Sequence, residues 1–81
     1  MKLSFFSPAI KAGQYQDHEG NLYQVIGSAK NAITLAEVVI YEALFKNPAS
    51  RYWVIPVNKF NEKILVNGKR VPRFQRIVSK L

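Results

Sequence analysis

Lys63-Ile64-Leu65-Val66-Asn67-Gly68-Lys69-Arg70-Val71 is the stretch on which the reading of the fold turns. Asn-Gly is a strong short-range hairpin signal, because both residues tolerate the positive φ that a type I′ turn demands. A two-residue loop fixes the register: Val66 opposite Lys69, Leu65 opposite Arg70, Ile64 opposite Val71. The side-chain period of two then places Lys63, Leu65 and Arg70 on one face. Ile64, Val66 and Val71 share the other, with Lys69 at its tip. The aliphatic face is the one expected to meet a core.

Working upstream, β signals continue. Gln14–Gln16 leads into the polar cluster Asp17-His18-Glu19-Gly20-Asn21, after which Leu22–Ala29 alternates Tyr23, Val25, Gly27 and Ala29 with Gln24, Ile26 and Ser28, a second hairpin. Residues 30–34 form a connection. The block Glu37–Phe45 carries Val38-Val39-Ile40-Tyr41; its β-branched and aromatic residues favour a strand over a rival helix from Ile33 to Phe45 built on Ala36, Glu37, Ala43 and Leu44. Asn47-Pro48-Ala49-Ser50 is a loop, and Tyr52–Ile55 a short strand stopped by Pro56. Val57–Glu62 fits one irregular or 3₁₀ turn that returns Phe60 to the core. Between Arg73 and Ile77 the alternation is not clean, since Phe74 and Val78 share parity with Arg76, and no face is assigned. The expected fold is all-β: a small SH3-like barrel or curled antiparallel sheet of five to six short strands with one 3₁₀ turn.

The 81 residues make one small domain, 48% hydrophobic and with ten aromatics, too apolar for a disordered basic tail. Residues 1–12 are read as an N-terminal arm and 13–81 as a single β domain. In that arm the apolar run at Leu3–Ile10 is broken by Pro8 and ends at Lys11, unlike a secretory leader, and no run reaches the length of a membrane span. Phe5 and Phe6 are expected to pack on the domain's edge. The absence of cysteine removes disulfides and thiolate metal sites and fits a reducing compartment, with the bacterial cytoplasm as the default.

Charge is segregated. Residues 59–81 hold seven basic side chains (Lys59, Lys63, Lys69, Arg70, Arg73, Arg76, Lys80) against Glu62, a local charge of +6, whereas the preceding 58 residues carry only +1. An anionic partner is the natural counterpart.

No motif identifies a reaction. His18 is the only histidine, and Asp17 and Glu19 beside it diverge on a strand or turn, short of the ligand number a metal site needs. Ser28 and Ser50 lack a base for nucleophile activation, and Glu37, Glu42 and Glu62 are scattered. The four glycines, Gly13, Gly20, Gly27 and Gly68, are isolated and build no phosphate loop. No catalytic residue, metal or cofactor is therefore expected.

Gly13-x-Tyr15, Gly20-Asn21-Leu22-Tyr23-x-Val25, Thr34-Leu35 with Glu37, Val39-Ile40-Tyr41-x-Ala43-Leu44-Phe45, Trp53-Val54-x-Pro56, Phe60 and Gly68-Lys69-x-Val71-Pro72-Arg73-Phe74, in that order, resemble the bacterial domain-of-unknown-function 1653 family. The resemblance covers about residues 13–77 and implies a small SH3-like β-barrel, with no established activity. The chain departs from the family pattern where a basic residue, His, Ser and Glu precede Thr34; here stand Lys30, Asn31, Ala32 and Ile33. Ile55 replaces an arginine, and Gln16-Asp17-His18-Glu19 a basic and aromatic run. The departures imply a divergent member, keeping the barrel without whatever those polar groups do.

Two functions follow. In the first, Lys63, Lys69, Arg70, Arg73 and Arg76 engage an anionic polymer, most plausibly RNA. About five phosphate contacts would give log affinity a slope near −4.5 against log salt on duplex DNA. In the second, a protein partner, acidic in character, meets an exposed sheet edge or aromatic cleft, and charge only steers the encounter. Tyr23, Tyr41, Trp53, Phe60 and Phe74 are expected to fill the interior. Tyr15 and Tyr52, near loop ends, are the candidates for exposed stacking beside the arginines, and Tyr52 and Trp53 are expected near a protein contact.

Overall fold

The computed structural model describes residues 10–11 and 13–78. Seven strands and one helical turn run in the order β1 (Gly13–Asp17), β2 (Leu22–Lys30), β3 (Glu37–Ala43), β4 (Tyr52–Pro56), α1 (Val57–Phe60), β5 (Lys63–Val66), β6 (Lys69–Pro72) and β7 (Phe74–Arg76). Five of them form an antiparallel sheet ordered β4-β3-β2-β1-β7, while β5 and β6 make a separate two-stranded ribbon. The sheet curls but does not close into a barrel, since β4 and β7 remain its two edges.

Most of this follows from local chemistry. Asn67 at φ 52° and Gly68 at φ 80° make the ribbon turn, and the register is Val66 to Lys69, Leu65 to Arg70 and Ile64 to Val71, as read from the sequence. Ile64, Val66 and Val71 are half-buried, whereas Lys63, Leu65 and Arg70 are exposed. The Val-Val-Ile block forms the strand β3, paired on one side with β2 and on the other with β4. β-Branched side chains suit a strand flanked on both sides, and the helix alternative loses.

Two elements differ from expectation. The turn after Pro56 is α rather than 3₁₀: the Asn61 N–H donates to the Val57 carbonyl at 3.0 Å, four residues back, and only the exit bond from Glu62 N–H to the Lys59 carbonyl at 3.2 Å spans three. A seventh strand, β7, aligns Tyr15 with Arg76, Gln16 with Gln75 and Asp17 with Phe74. Its confusing parity has a simple cause. Phe74 packs against the core while Arg76, on the same face but farther along the edge strand, remains exposed.

The chain leaves the sheet at the β4 edge and rejoins it at the β7 edge, and α1 and the ribbon are the intervening excursion. That path brings Phe60 onto the inner face, where it joins Ile10, Tyr15, Val25 and Val39 in the core, with Tyr41, Ile55, Val57 and Phe74 packed around them. Ile10, assigned to the arm by sequence, is thus part of the domain; Phe5 and Phe6 lie outside the described residues. The aromatic rings form a connected series. Tyr15 meets Phe60 edge-on at 5.1 Å, Phe60 stacks on Phe74 at 4.9 Å, and Phe74 contacts Tyr41 at 5.3 Å and Tyr23 at 5.5 Å. Such pairs add about 0.5–1.5 kcal/mol each beyond the area they bury.

Phe60 therefore ties the excursion to the sheet. Truncation to alanine should cost about 3–5 kcal/mol, comparable with the whole stability of a domain this small. Urea unfolding should show Phe60→Ala largely unfolded in buffer and Phe60→Leu folded with a lowered midpoint; an unchanged midpoint for both would place the closure elsewhere.

Candidate functional site

The cations of residues 59–78 divide into two groups. Glu62, just after α1, is shared by Arg73, whose Nη2 lies 3.0 Å from its Oε2, and by Lys59, whose Nζ lies 3.5 Å from Oε1. The Arg73 N–H also donates to the Glu62 carbonyl at 2.9 Å, so the base of the ribbon is clamped by main chain and side chain together. The hydrogen bond from Arg73, aided by the Lys59 charge, holds the Glu62 carboxyl below its ordinary range. Arg73, one of the expected phosphate ligands, is thus engaged by Glu62 within the fold. Arg76 runs along the inner edge beside Tyr15, its Nε 3.6 Å from where a side chain at Gly13 would begin.

Lys63, Lys69 and Arg70 are different. All three are exposed, and none forms an ion pair with a carboxylate among the described residues. Lys63 and Arg70 flank Leu65 on the outer face of the ribbon, and Lys69 stands at its tip.

Tyr15 is not an exposed stacking residue. It is 6% exposed, and its hydroxyl donates to the Lys11 carbonyl at 2.7 Å. Burial raises its pKa, opposed by the nearby Arg76 charge and by that hydrogen bond. The strand register explains the burial, because Tyr15 pairs with Tyr23 on the core face of β1. Tyr52 is 54% exposed, with the Arg51 guanidinium 5.3 Å from its ring centre. Trp53 is half-buried, and its indole N–H donates to the Ser50 carbonyl at 3.1 Å.

The β4 edge is guarded. Ala43 N–H donates to the Arg51 carbonyl, so the antiparallel alternation turns the backbone groups of Tyr52, Val54 and Pro56 away from β3. Ser50 covers the first of these: its hydroxyl accepts from Tyr52 N–H at 3.3 Å and donates to Tyr52 O at 2.9 Å. Pro56 has no N–H to offer. Only Val54 presents both a donor and an acceptor, too little for strand addition.

On the opposite side, Asp17 organises the β1–β2 turn. Its Oδ1 accepts from the backbone N–H groups of Glu19 at 3.0 Å and Asn21 at 2.9 Å. Its Oδ2 accepts from Asn21 Nδ2 at 3.1 Å and the Tyr23 hydroxyl at 3.0 Å. Burial works against the charge, but these four donors outweigh it and hold the Asp17 carboxyl below its ordinary range. Burial, then the hydrogen bond to Asp17, pushes Tyr23 up to about 12. His18 is exposed, and among the described residues no group of three His, Cys, Asp or Glu side chains converges on a metal position. No helix among those residues is long and apolar enough to cross a membrane.

A family model described as "Protein of unknown function (DUF1653)" matches residues 13–76. A crystal structure of a protein belonging to the DUF1653 family from Bordetella bronchiseptica superposes with a TM-score of 0.77 at 22% identity, covering 88% of this chain and 95% of that one. It is similar in fold. No curated protein matches the chain.

Two experiments test this geometry. Ser50→Ala uncovers the Tyr52 backbone, and sedimentation velocity should show stronger self-association with stability changed by less than about 0.5 kcal/mol; unaltered sedimentation would deny the hydroxyl its guarding role. The Asp17–Tyr23 pair contributes to both limbs of a pH profile. Asp17 has a folded pKa below its unfolded value, so its stabilisation is complete above the ordinary carboxyl range and lost as pH falls through the folded value. Tyr23 is raised from 10.0 to about 12, so its contribution is complete below 10.0 and lost as pH climbs through about 12. Thermal melts should show Asp17→Asn flattening the acid limb and Tyr23→Phe flattening the alkaline one, with about 1–3 kcal/mol lost at neutral pH in Asp17→Asn.

Proposed function

The chain belongs to the DUF1653 family, and from that premise we propose that it is a non-catalytic binding module whose β5–β6 ribbon docks an anionic polymer, most plausibly RNA. One observation carries the reading: Lys63, Lys69 and Arg70 are gathered, exposed and unneutralised on a ribbon separate from the main sheet, while Arg51, Lys59 and Arg73 are paired with the chain's own carboxylates.

A cation already held by a carboxylate gives up that pair before it meets a phosphate, so its net contribution is small. Arg73 is so held, and the contacts proposed are the three gathered on the ribbon, Lys63, Lys69 and Arg70. Three contacts predict a slope of about −2 for log affinity against log salt on a single strand and about −2.7 on a duplex. Leu65, 72% exposed between Lys63 and Arg70, supplies an apolar platform for an unstacked base or sugar. The interaction is weak, sequence-tolerant and fast, with dissociation constants of roughly 10⁻⁴–10⁻⁶ M at physiological salt. The guarded β4 edge disfavours strand addition by a partner protein at that edge.

Fluorescence anisotropy with a single-stranded RNA at several salt concentrations is the direct test. Lys63→Glu with Arg70→Glu should abolish binding with little change in melting temperature, whereas Arg73→Gln should lower stability more than affinity. Absence of binding at low salt, or a slope near zero, would end the proposal.

A further inference from the structure

The inner side of the ribbon and the β1–β2 turn enclose a cleft of about 480 Å³, within the range of about 300–1,000 Å³ typical of ligand sites. The cationic outer face does not use it. One wall is aliphatic, formed by Val66, Val71 and Pro72. The other is the turn Asp17-His18-Glu19-Gly20, and Gln16 and Gln75, cross-strand partners on β1 and β7, lie between.

The polar groups fall into a pattern. Asp17 has its four hydrogen bonds filled within the turn, so it offers a fixed negative charge and no spare acceptor. The Glu19 carboxylate and the amides of Gln16 and Gln75 have no hydrogen-bond partner among the described residues. In a chain of net charge +7, the lining of this cleft holds two carboxylates and no lysine or arginine. The Asp17 and Glu19 carboxylates disfavour a phosphate group against the turn wall. An occupant needs a positive head for Glu19, an apolar stem for the aliphatic wall, and amide groups for the two glutamines.

We infer that the cleft binds an arginine side chain of an extended peptide segment from a basic partner protein. The guanidinium forks onto Glu19 with the Asp17 charge behind it, the methylene stem lies on Val66, Val71 and Pro72, and the Gln16 and Gln75 amides take the peptide backbone. The ribbon then has two uses, Lys63 and Arg70 on the outward face for an anion and Val66 and Val71 on the inward face for the apolar stem, with Lys69 at the tip of that inward face beyond the cleft lining. This site stands independently of the anionic-polymer reading.

Titrating the isotope-labelled full chain with the peptide acetyl-Gly-Leu-Arg-Leu-Gly-amide tests it. Amide shifts should concentrate at Gln16–Gly20, Val66, Val71 and Gln75. Replacing arginine by citrulline, of the same shape without the charge, should weaken binding about tenfold, and Glu19→Gln should weaken the arginine peptide about as much. The melting temperature of Glu19→Gln and its RNA titration should match those of the unmodified chain. Equal affinity for the arginine and citrulline peptides, or no shift at these amides at millimolar peptide, overturns the inference. So does a shift of the same amides by guanosine monophosphate in place of the peptide, which would make the cleft a nucleotide site.

Discussion

The contact between Phe60 and Phe74, 4.9 Å apart with their rings nearly parallel, is the point on which the structure closes. A curled sheet that does not seal its edges has an inner face too apolar to leave in water, and a short chain has few residues to spare for covering it. Here the cover is the excursion between β4 and β7. Phe60 projects from it onto Tyr15 of β1, and Phe74 begins the strand that returns the chain to the sheet. One aromatic stack thus joins the outgoing and returning limbs of the cover.

That closure also sets the electrostatics. The ribbon sits between the two aromatic anchors, and Glu62 at its base pairs with Arg73 at its end. The ion pair is partly exposed, so its energetic value is modest; its consequence is to fix where the ribbon leaves the domain. With Arg73 and Lys59 occupied there, the cations beyond the clamp are the ones left for a partner. A net charge of +7 says little about function until the cations paired within the fold are told apart from those left exposed.

Legibility follows the range of the interactions. The ribbon register was readable because Asn67-Gly68 dictates it locally, and the Asp17–Asn21 hairpin for the same reason. Tyr15 was misread because its neighbours in sequence are polar, whereas its burial depends on Phe60, far along the chain. The β2 alternation holds through Gly27, with Ile26 exposed and Gly27 buried, and fails after it. A bulge at Ile26 shifts the register, so that Ser28, not Gly27 or Ala29, lies opposite the fully buried Val39. Its local mark is Gly27, since an isolated glycine within a strand often accompanies a bulge. Arg73 was assigned to a ligand for a similar reason: its partner lies eleven residues away, across the ribbon. The cleft was missed because it joins two turns that the sequence keeps far apart.

The positions where the chain departs from the resembled pattern have structural occupations of their own. Asn31 Oδ1 accepts from the N–H groups of Ile33 at 2.8 Å and Thr34 at 3.1 Å, and its carbonyl accepts from Leu35 N–H at 2.7 Å. These bonds hold Leu35 at φ 63°, a conformation unfavourable for a branched side chain unless the surrounding turn enforces it. Ile55 packs against the core from β4, so its aliphatic side chain adds to the inner face where an arginine would have to reach outward past the edge. Asn31 thus orders the β2–β3 turn, and Ile55 adds to the core beside the β4 edge. The ribbon and the cleft beneath it are built from other residues.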